Sequence, residues 1–138
     1  MCADRPTTWG LQMPSTDQMK AAVQAYTAAH TAGDIDGIAA LFAEDAVLAD
    51  PVDQPTRVGR AVIREFFAGT HEGTQGFELS ITGPIRAVGS WAAVPLRAVT
   101  RIGDSTFTVE IIDVFTFDDD GLFSDMKAFW TAADIQVS

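Results

Sequence analysis

The stretch TFTVEIIDVFTF, Thr106 to Phe117, decides how this chain is read. Taken with the two-residue period of a β-strand, one face carries Phe107, Val109, Ile111, Asp113, Phe115 and Phe117. Five large apolar side chains and one carboxylic acid thus share the face that a sheet turns to its core. A bulge would rotate Asp113 out to solvent. An unbroken alternation buries it, and the same face offers no arginine or lysine as a partner. Burial without a cation disfavours the charged form and raises the pKa. Such an acid is neutral near pH 7 and donates a hydrogen bond.

Strand signals surround this stretch. GDS at 103–105 marks a hairpin turn, SWAAVPLRAVTRI before it is a long strand, and DDDG at 118–121 makes the next turn. LFSDMKAFWT then gives a final strand, while upstream FELSITGPIRAVG alternates Phe77, Leu79 and Ile81 before a break at Gly83-Pro84. Ahead of Gly76 the period is helical. Ser15 with Gln18 makes a capping box, and Met19, Ala22, Val23, Tyr26 and Ala29 carry a first helix to about Gly33. Asp34 caps a short second helix that buries Ile38, Leu41 and Phe42. DAVLADP is a short strand ending at Asp50, and GRAVIREFFAG a third helix with Val62, Ile63, Phe66 and Phe67 inward. Helices first and an antiparallel meander afterwards imply an α+β domain, three N-terminal helices covering one face of a curved sheet. A sheet curled in this way makes a cone, and a cone has a cavity. Residues 1–14, with Pro6, Gly10 and Pro14 and no periodicity, read as an arm ahead of a single domain at 15–138.

The bulk composition narrows the function. A chain of 138 residues, 47% apolar and 20% charged, suits one globular core. No apolar run approaches the ~20 residues that span a membrane. No basic segment followed by an apolar block opens the chain, so a cytoplasmic protein is expected. Cys2 is the only cysteine, which excludes an internal disulfide. A formal net charge of −10 argues against nucleic acid and anionic membrane as partners. A neutral small molecule or a protein remains.

Two further residues could join Asp113 in chemistry. Tyr26, the only tyrosine, lies on the apolar face of the first helix; it is a core residue or a second donor into the cavity. Asp50, before Pro51, is a turn residue or a general base on a stiff backbone. His30 and His71 lack a cysteine or carboxylate at metal-ligand spacing, so no zinc or iron site is expected. Neither a nucleophile elbow nor a phosphate-binding glycine loop is present. Met126, Ala128 and Trp130 alternate on one face of the last strand, as core or as cavity wall.

Three segments together resemble bacterial steroid delta-isomerase (ketosteroid isomerase): AYTAAHTAGDIDGIAALFAEDAVLADPV, GRAVIREFF and EIIDVFTFDDDG. The similarity covers about residues 16–135. It implies the cone-shaped fold of nuclear transport factor 2 and a homodimer that works without cofactor. It also implies a neutral steroid substrate and steroid metabolism as the setting. By position, the family's general base matches Asp50, its oxyanion-hole tyrosine Tyr26, and its protonated aspartic acid Asp113. The implied reaction converts 3-oxo-Δ5-steroids to 3-oxo-Δ4-steroids by moving a proton from C4 to C6 through a dienolate. The substrate walls expected are Phe66, Phe67, Val109, Phe115, Met126 and Trp130. One departure stands out: the position after REF, where close relatives often carry a tyrosine bonded to the oxyanion tyrosine, is Phe67 here.

Rival readings share the fold. An epoxide hydrolase needs an arginine flanked by acids in the pocket, but Arg97 and Arg101 share strand parity with Trp91, opposite the apolar face of Ala92, Val94, Leu96 and Ala98. A polyketide cyclase would use similar enolate chemistry. A non-catalytic binding module would need apolar walls but neither Asp50 nor a neutral Asp113.

Overall fold

In the computed structural model, which describes residues 14–138, the helices fall where the caps place them. Nearly all of the expected N-terminal arm lies outside the described residues. Helix α1 spans Thr16–Ala32; Ser15 Oγ accepts from Gln18 N–H, and Gln18 Oε1 from Ser15 N–H. Gly33 ends it in the left-handed conformation, φ 69°. Helix α2, Ile35–Ala40, starts at Asp34, whose carboxylate accepts from Gly37 N–H. Helix α3, Arg60–Glu72, buries Ile63 and Phe67. Val62, expected inward, is 47% exposed. Ile63 and Phe67, four residues apart, define the core line, and Val62 falls on its flank.

The strands are β1 (Phe42–Ala49), β2 (Arg57–Val58), β3 (Gly76–Ile81), β4 (Arg86–Val88), β5 (Trp91–Ile102), β6 (Ser105–Phe117), β7 (Phe123–Phe129) and β8 (Ile135–Val137). They form one mixed sheet in the order β2-β1-β7-β6-β5-β3, with β4 paired to β5 and β8 to β6. Every pairing is antiparallel except β1 with β7. LFSDMKAFWT is therefore not the last strand. After β7 a short 3-10 turn, Ala132–Asp134, leads the chain back as β8.

Strand β6 is the axis. Along one side it pairs with β5 over its whole length, from Ile102↔Ser105 to Trp91↔Thr116. Along the other it is shared: β7 covers Ile112–Phe117 and β8 covers Phe107–Val109, leaving Glu110 and Ile111 at the hand-over. The β5 register continues without a bulge past Asp113 and turns it inward. Val94 faces Asp113 and Ala92 faces Phe115, and all four are buried. On the opposite face Arg97 Nε donates to Glu110 Oε2 at 2.6 Å, both side chains about half exposed. An exposed pair of this kind contributes little stability. The core proper lies under the helices, where Phe42, Phe115 and Phe123 are fully buried. Each such ring contributes on the order of 1.5–3 kcal/mol by leaving water.

Candidate active site

Three elements deliver polar groups into this apolar core. Tyr26 comes from the middle of α1, where Phe42, Phe67, Phe115 and Phe123 stand edge-on to its ring at centroid distances of 5.4–6.3 Å. Four aromatic walls leave the ring one orientation. Asp113 comes from β6; it is 3% exposed, and its Oδ1 has no hydrogen-bond partner. Asp50 follows the last residue of β1. The β1–β7 ladder ends at Ala49↔Lys127, and Val52 N–H donates to Ala128 O beyond the cis Asp50–Pro51 peptide. The turn that carries Asp50 is thus tied to β7 on both sides. Trp130, just past the end of β7, donates from Nε1 to Asp50 Oδ1 at 2.8 Å.

These residues share one void. A cavity of about 60 Å³ is lined by Tyr26, His30, Asp50, Phe67, Asp113 and Ala128, among others. Asp50 also borders a wider depression of about 520 Å³, with Pro51, Gln54, Phe66, Trp130 and Thr131. A third, of about 570 Å³, opens where β7 hands over to β8 and shares Pro51, Asp53, Trp130 and Thr131 with the second. Neither wider depression touches Tyr26 or Asp113; the second meets the small void at Asp50 and forms its mouth, whereas the third, lined by Pro95, Ile112 and Phe129, opens on the outer side of the sheet. The inner void falls far short of the ~300–1,000 Å³ typical of small-molecule sites. A larger ligand would place one end inside and the rest along the mouth, with Asp50 at the junction.

The electrostatics follow from burial. Desolvation, and then the nearby Asp50 carboxylate, push the Asp113 carboxyl well above the usual range. Burial also raises Asp50, against the Trp130 hydrogen bond and the charge of Arg57, which both favour its carboxylate. Arg57 itself lies 4.2 Å above the Phe66 ring. Tyr26 is pushed well above 10 by burial, Asp113 and Asp50, in that order of size, so it stays a neutral donor. Two acids in one site are thereby separated: Asp113 holds its proton far more tightly than Asp50 does.

Of the expected walls, Phe67 lines the void, and Phe66 and Trp130 line the mouth. Phe115 and Met126 are fully buried behind Tyr26 and the sheet, and Val109 is half-buried against the core. None of these three borders the void, which Ile111, Ala98 and Ala128 line instead. His30 was not expected here. Its signal is the period 19, 23, 26, 30, which continues the buried face of α1. Among the described residues no group of three or more His, Cys, Asp or Glu is placed to hold a metal ion, and no helix is long and apolar enough to cross a membrane.

The model of the SnoaL-like domain matches residues 23–126. A steroid Delta-isomerase of Nocardioides simplex is 42% identical over 121 residues, covering 88% of this chain and 96% of that protein. The chain belongs to the SnoaL-like family. Within it, this domain is a homologue of steroid Delta-isomerase and has the nuclear transport factor 2-like fold, helices over a curved, unclosed mixed sheet. Epoxide hydrolase LasB of Streptomyces lasalocidi is 27% identical over 128 residues, 88% of this chain but 44% of LasB. The solved structure of SalBIII, described as an epoxide hydrolase/cyclase-like enzyme in pyran ring formation, superposes with a TM-score of 0.83 at 31% identity, covering 91% of this SnoaL-like domain and all of that chain. Arg97 stands on the outer sheet face with Glu110, and Arg101 too is exposed, so neither offers a cavity an arginine flanked by acids.

Proposed function

We propose that the protein is a cofactor-independent steroid Δ-isomerase acting on neutral 3-oxo-Δ5-steroids, with Asp50 as general base and Tyr26 and neutral Asp113 as oxyanion donors. The observation that carries this reading is Asp113: a buried acid with an unpartnered oxygen, lining one void with Tyr26 and Asp50. The C4 hydrogen of the substrate lies between a carbonyl and a double bond and is therefore acidic. Asp50 takes that proton; the C–H electron pair becomes part of a dienolate, and negative charge gathers on the C3 oxygen. Tyr26 and Asp113 donate to that oxygen as charge builds, in a site from which apolar walls exclude water. Asp50 then returns the proton at C6, and the double bond moves to C4–C5. No electrons are gained or lost, so the reaction needs no redox cofactor. Burial makes Asp50 more basic, while the Trp130 hydrogen bond and Arg57 favour its carboxylate, the form that can accept a proton.

The site fits a ligand with one polar, enolising end in the void and a flat apolar body along the mouth, over Phe66 and Trp130. We also propose a homodimer. Its support is an apolar row across the outer face of the sheet, Pro95–Ile112–Phe129, in which Ile112 and Phe129 are 51% and 44% exposed. The test of the activity is to mix the purified protein with a Δ5-3-ketosteroid and follow the ultraviolet absorbance of the conjugated product, with Asp50→Asn beside it. Conjugation by the wild type that falls on the order of 10²–10⁴-fold in the variant supports the reading. A wild type no faster than buffer rejects it.

A further inference from the structure

Two polar side chains in the void, Thr70 and His30, have no part in the proton transfer, and the Thr70 hydroxyl already donates to Phe66 O at 3.1 Å. His30 lies one helical turn beyond Tyr26 on α1 and is 2% exposed. Its Nδ1 is 2.9 Å from Nε2 of His71, which comes from the last turn of α3. Phe77 of β3 stacks on His30 at 5.3 Å and packs against His71 at 4.4 Å, and Thr31 Oγ1 accepts from Leu79 N–H, so β3 and α1 are locked around the pair. His30 borders both the catalytic void and a surface depression of about 300 Å³; His71 borders only the latter. With Nδ1 engaged on the His71 side, Nε2 is left for the void, buried and without a partner. Burial and the neighbouring His71 hold His30 down to about 3, so the ring is neutral. A neutral imidazole whose Nδ1 shares a proton with His71 presents Nε2 as an N–H donor or as a lone-pair acceptor, according to which histidine donates. A hydroxyl group satisfies either form.

We propose that His30 is a specificity-determining residue, its Nε2 taking a hydroxyl on the same end of the ligand as the enolising carbonyl. This rests on the isomerase reading for the identity of the carbonyl, and it names a substrate class: ketosteroids hydroxylated close to the reacting ring. Distance sets the placement. The Tyr26 and His30 ring centroids are 4.5 Å apart, so groups bound by the two belong to one or adjacent rings of a rigid ligand. A buried, unpartnered nitrogen carries a desolvation cost that the hydroxyl removes, whereas a ligand lacking it leaves that cost in place.

The test uses 2-naphthol, whose single hydroxyl mimics the enolate oxygen, against naphthalene-2,3-diol, naphthalene-1,3-diol and naphthalene-2,6-diol. Titration calorimetry on the full chain should show about two- to tenfold tighter binding of a near diol, the size of one net hydrogen bond, and no gain for the 2,6-diol. His30→Leu should abolish the gain, so that this variant binds the near diols and 2-naphthol alike. Nitrogen-15 NMR of the wild type gives a readout independent of that variant's folding: the His30 Nε2 resonance should move with the near diol and not with 2-naphthol. Equal affinities for all four, no binding at all, a gain that survives His30→Leu, or a silent Nε2 resonance would each overturn the proposal. Diol preference without isomerisation would reject the isomerase reading and leave His30 standing; isomerisation without diol preference would do the reverse.

Discussion

Asp113 illustrates how one residue can work against stability and for chemistry. Unfolded, an aspartate ionises near pH 4. Folded, burial keeps this one protonated to well above that value. Between the two values the folded state binds the extra proton, so its contribution to stability is greatest in acid and falls as pH rises from about 4 towards the folded value. Asp113→Asn cannot ionise and should lose that part of the slope, showing a smaller drop in melting temperature between pH 5 and 8 than the wild type. Asn still offers an N–H donor, so its isomerase rate should fall less than that of Asp113→Leu, for which a loss on the order of 10²–10³ is expected. Equal melting slopes for wild type and Asn variant would show that Asp113 is ionised in the folded protein. Tyr26, Asp50 and Asp113 were all legible in the sequence, because each is a polar residue set in an apolar pattern or against a proline. His30 was legible in principle, through the 3.6-residue period of α1, but a histidine among alanines carries no apolar signal of its own.

At the scale of elements, the site depends on where strands end. Asp50 sits at the end of β1 and Trp130 at the end of β7, and their hydrogen bond spans 80 positions of sequence. Nothing local encodes that pairing, which exists because β1 and β7 run parallel and side by side. The indole N–H favours the Asp50 carboxylate. Trp130→Phe removes it while keeping an aromatic wall, so the Asp50 pKa should rise. As the proposed base, Asp50 would work only when ionised, so activity should be lost as pH falls through that pKa. The acidic limb of the kcat/KM profile should therefore move to higher pH in Trp130→Phe, and an unmoved limb would remove Trp130 from any role in tuning the base. β8 escaped the sequence reading for a related reason. Three half-exposed or exposed residues show no alternation, and the strand forms only because β6 offers an edge where β7 has left it.

For the molecule as a whole, the polarity of the two sheet faces divides the labour. The inner face builds the cavity; the outer one carries the Pro95–Ile112–Phe129 row beside the Arg97–Glu110 and Lys127–Asp125 pairs. An apolar row rimmed by charges is the usual anatomy of a contact between copies. Ile112→Glu would bury a carboxylate at the centre of such a contact and should convert a dimer to a monomer by sedimentation velocity. A wild type that is already monomeric at micromolar concentration would remove the dimer. Helix order, hairpins and the split into inner and outer faces could be read from periodicity, since each is a local pattern. The mixed pairing of the sheet could not, since strand neighbours far apart in sequence leave no periodic trace.

The shared edge of β6 has a last consequence. Because β7 lets go at Ile112 and β8 takes hold at Val109, the segment 130–134 leaves the sheet and forms part of the rim without joining the ladder. Insertions or substitutions at 131–134 would reshape the entrance while Tyr26, Asp50, Asp113, the Trp130 hydrogen bond and the supporting strands stay in place. Selection can then alter what enters and what is done to it independently. One scaffold of this kind can thereby accommodate relatives as unlike in their printed activities as a steroid isomerase and an epoxide hydrolase.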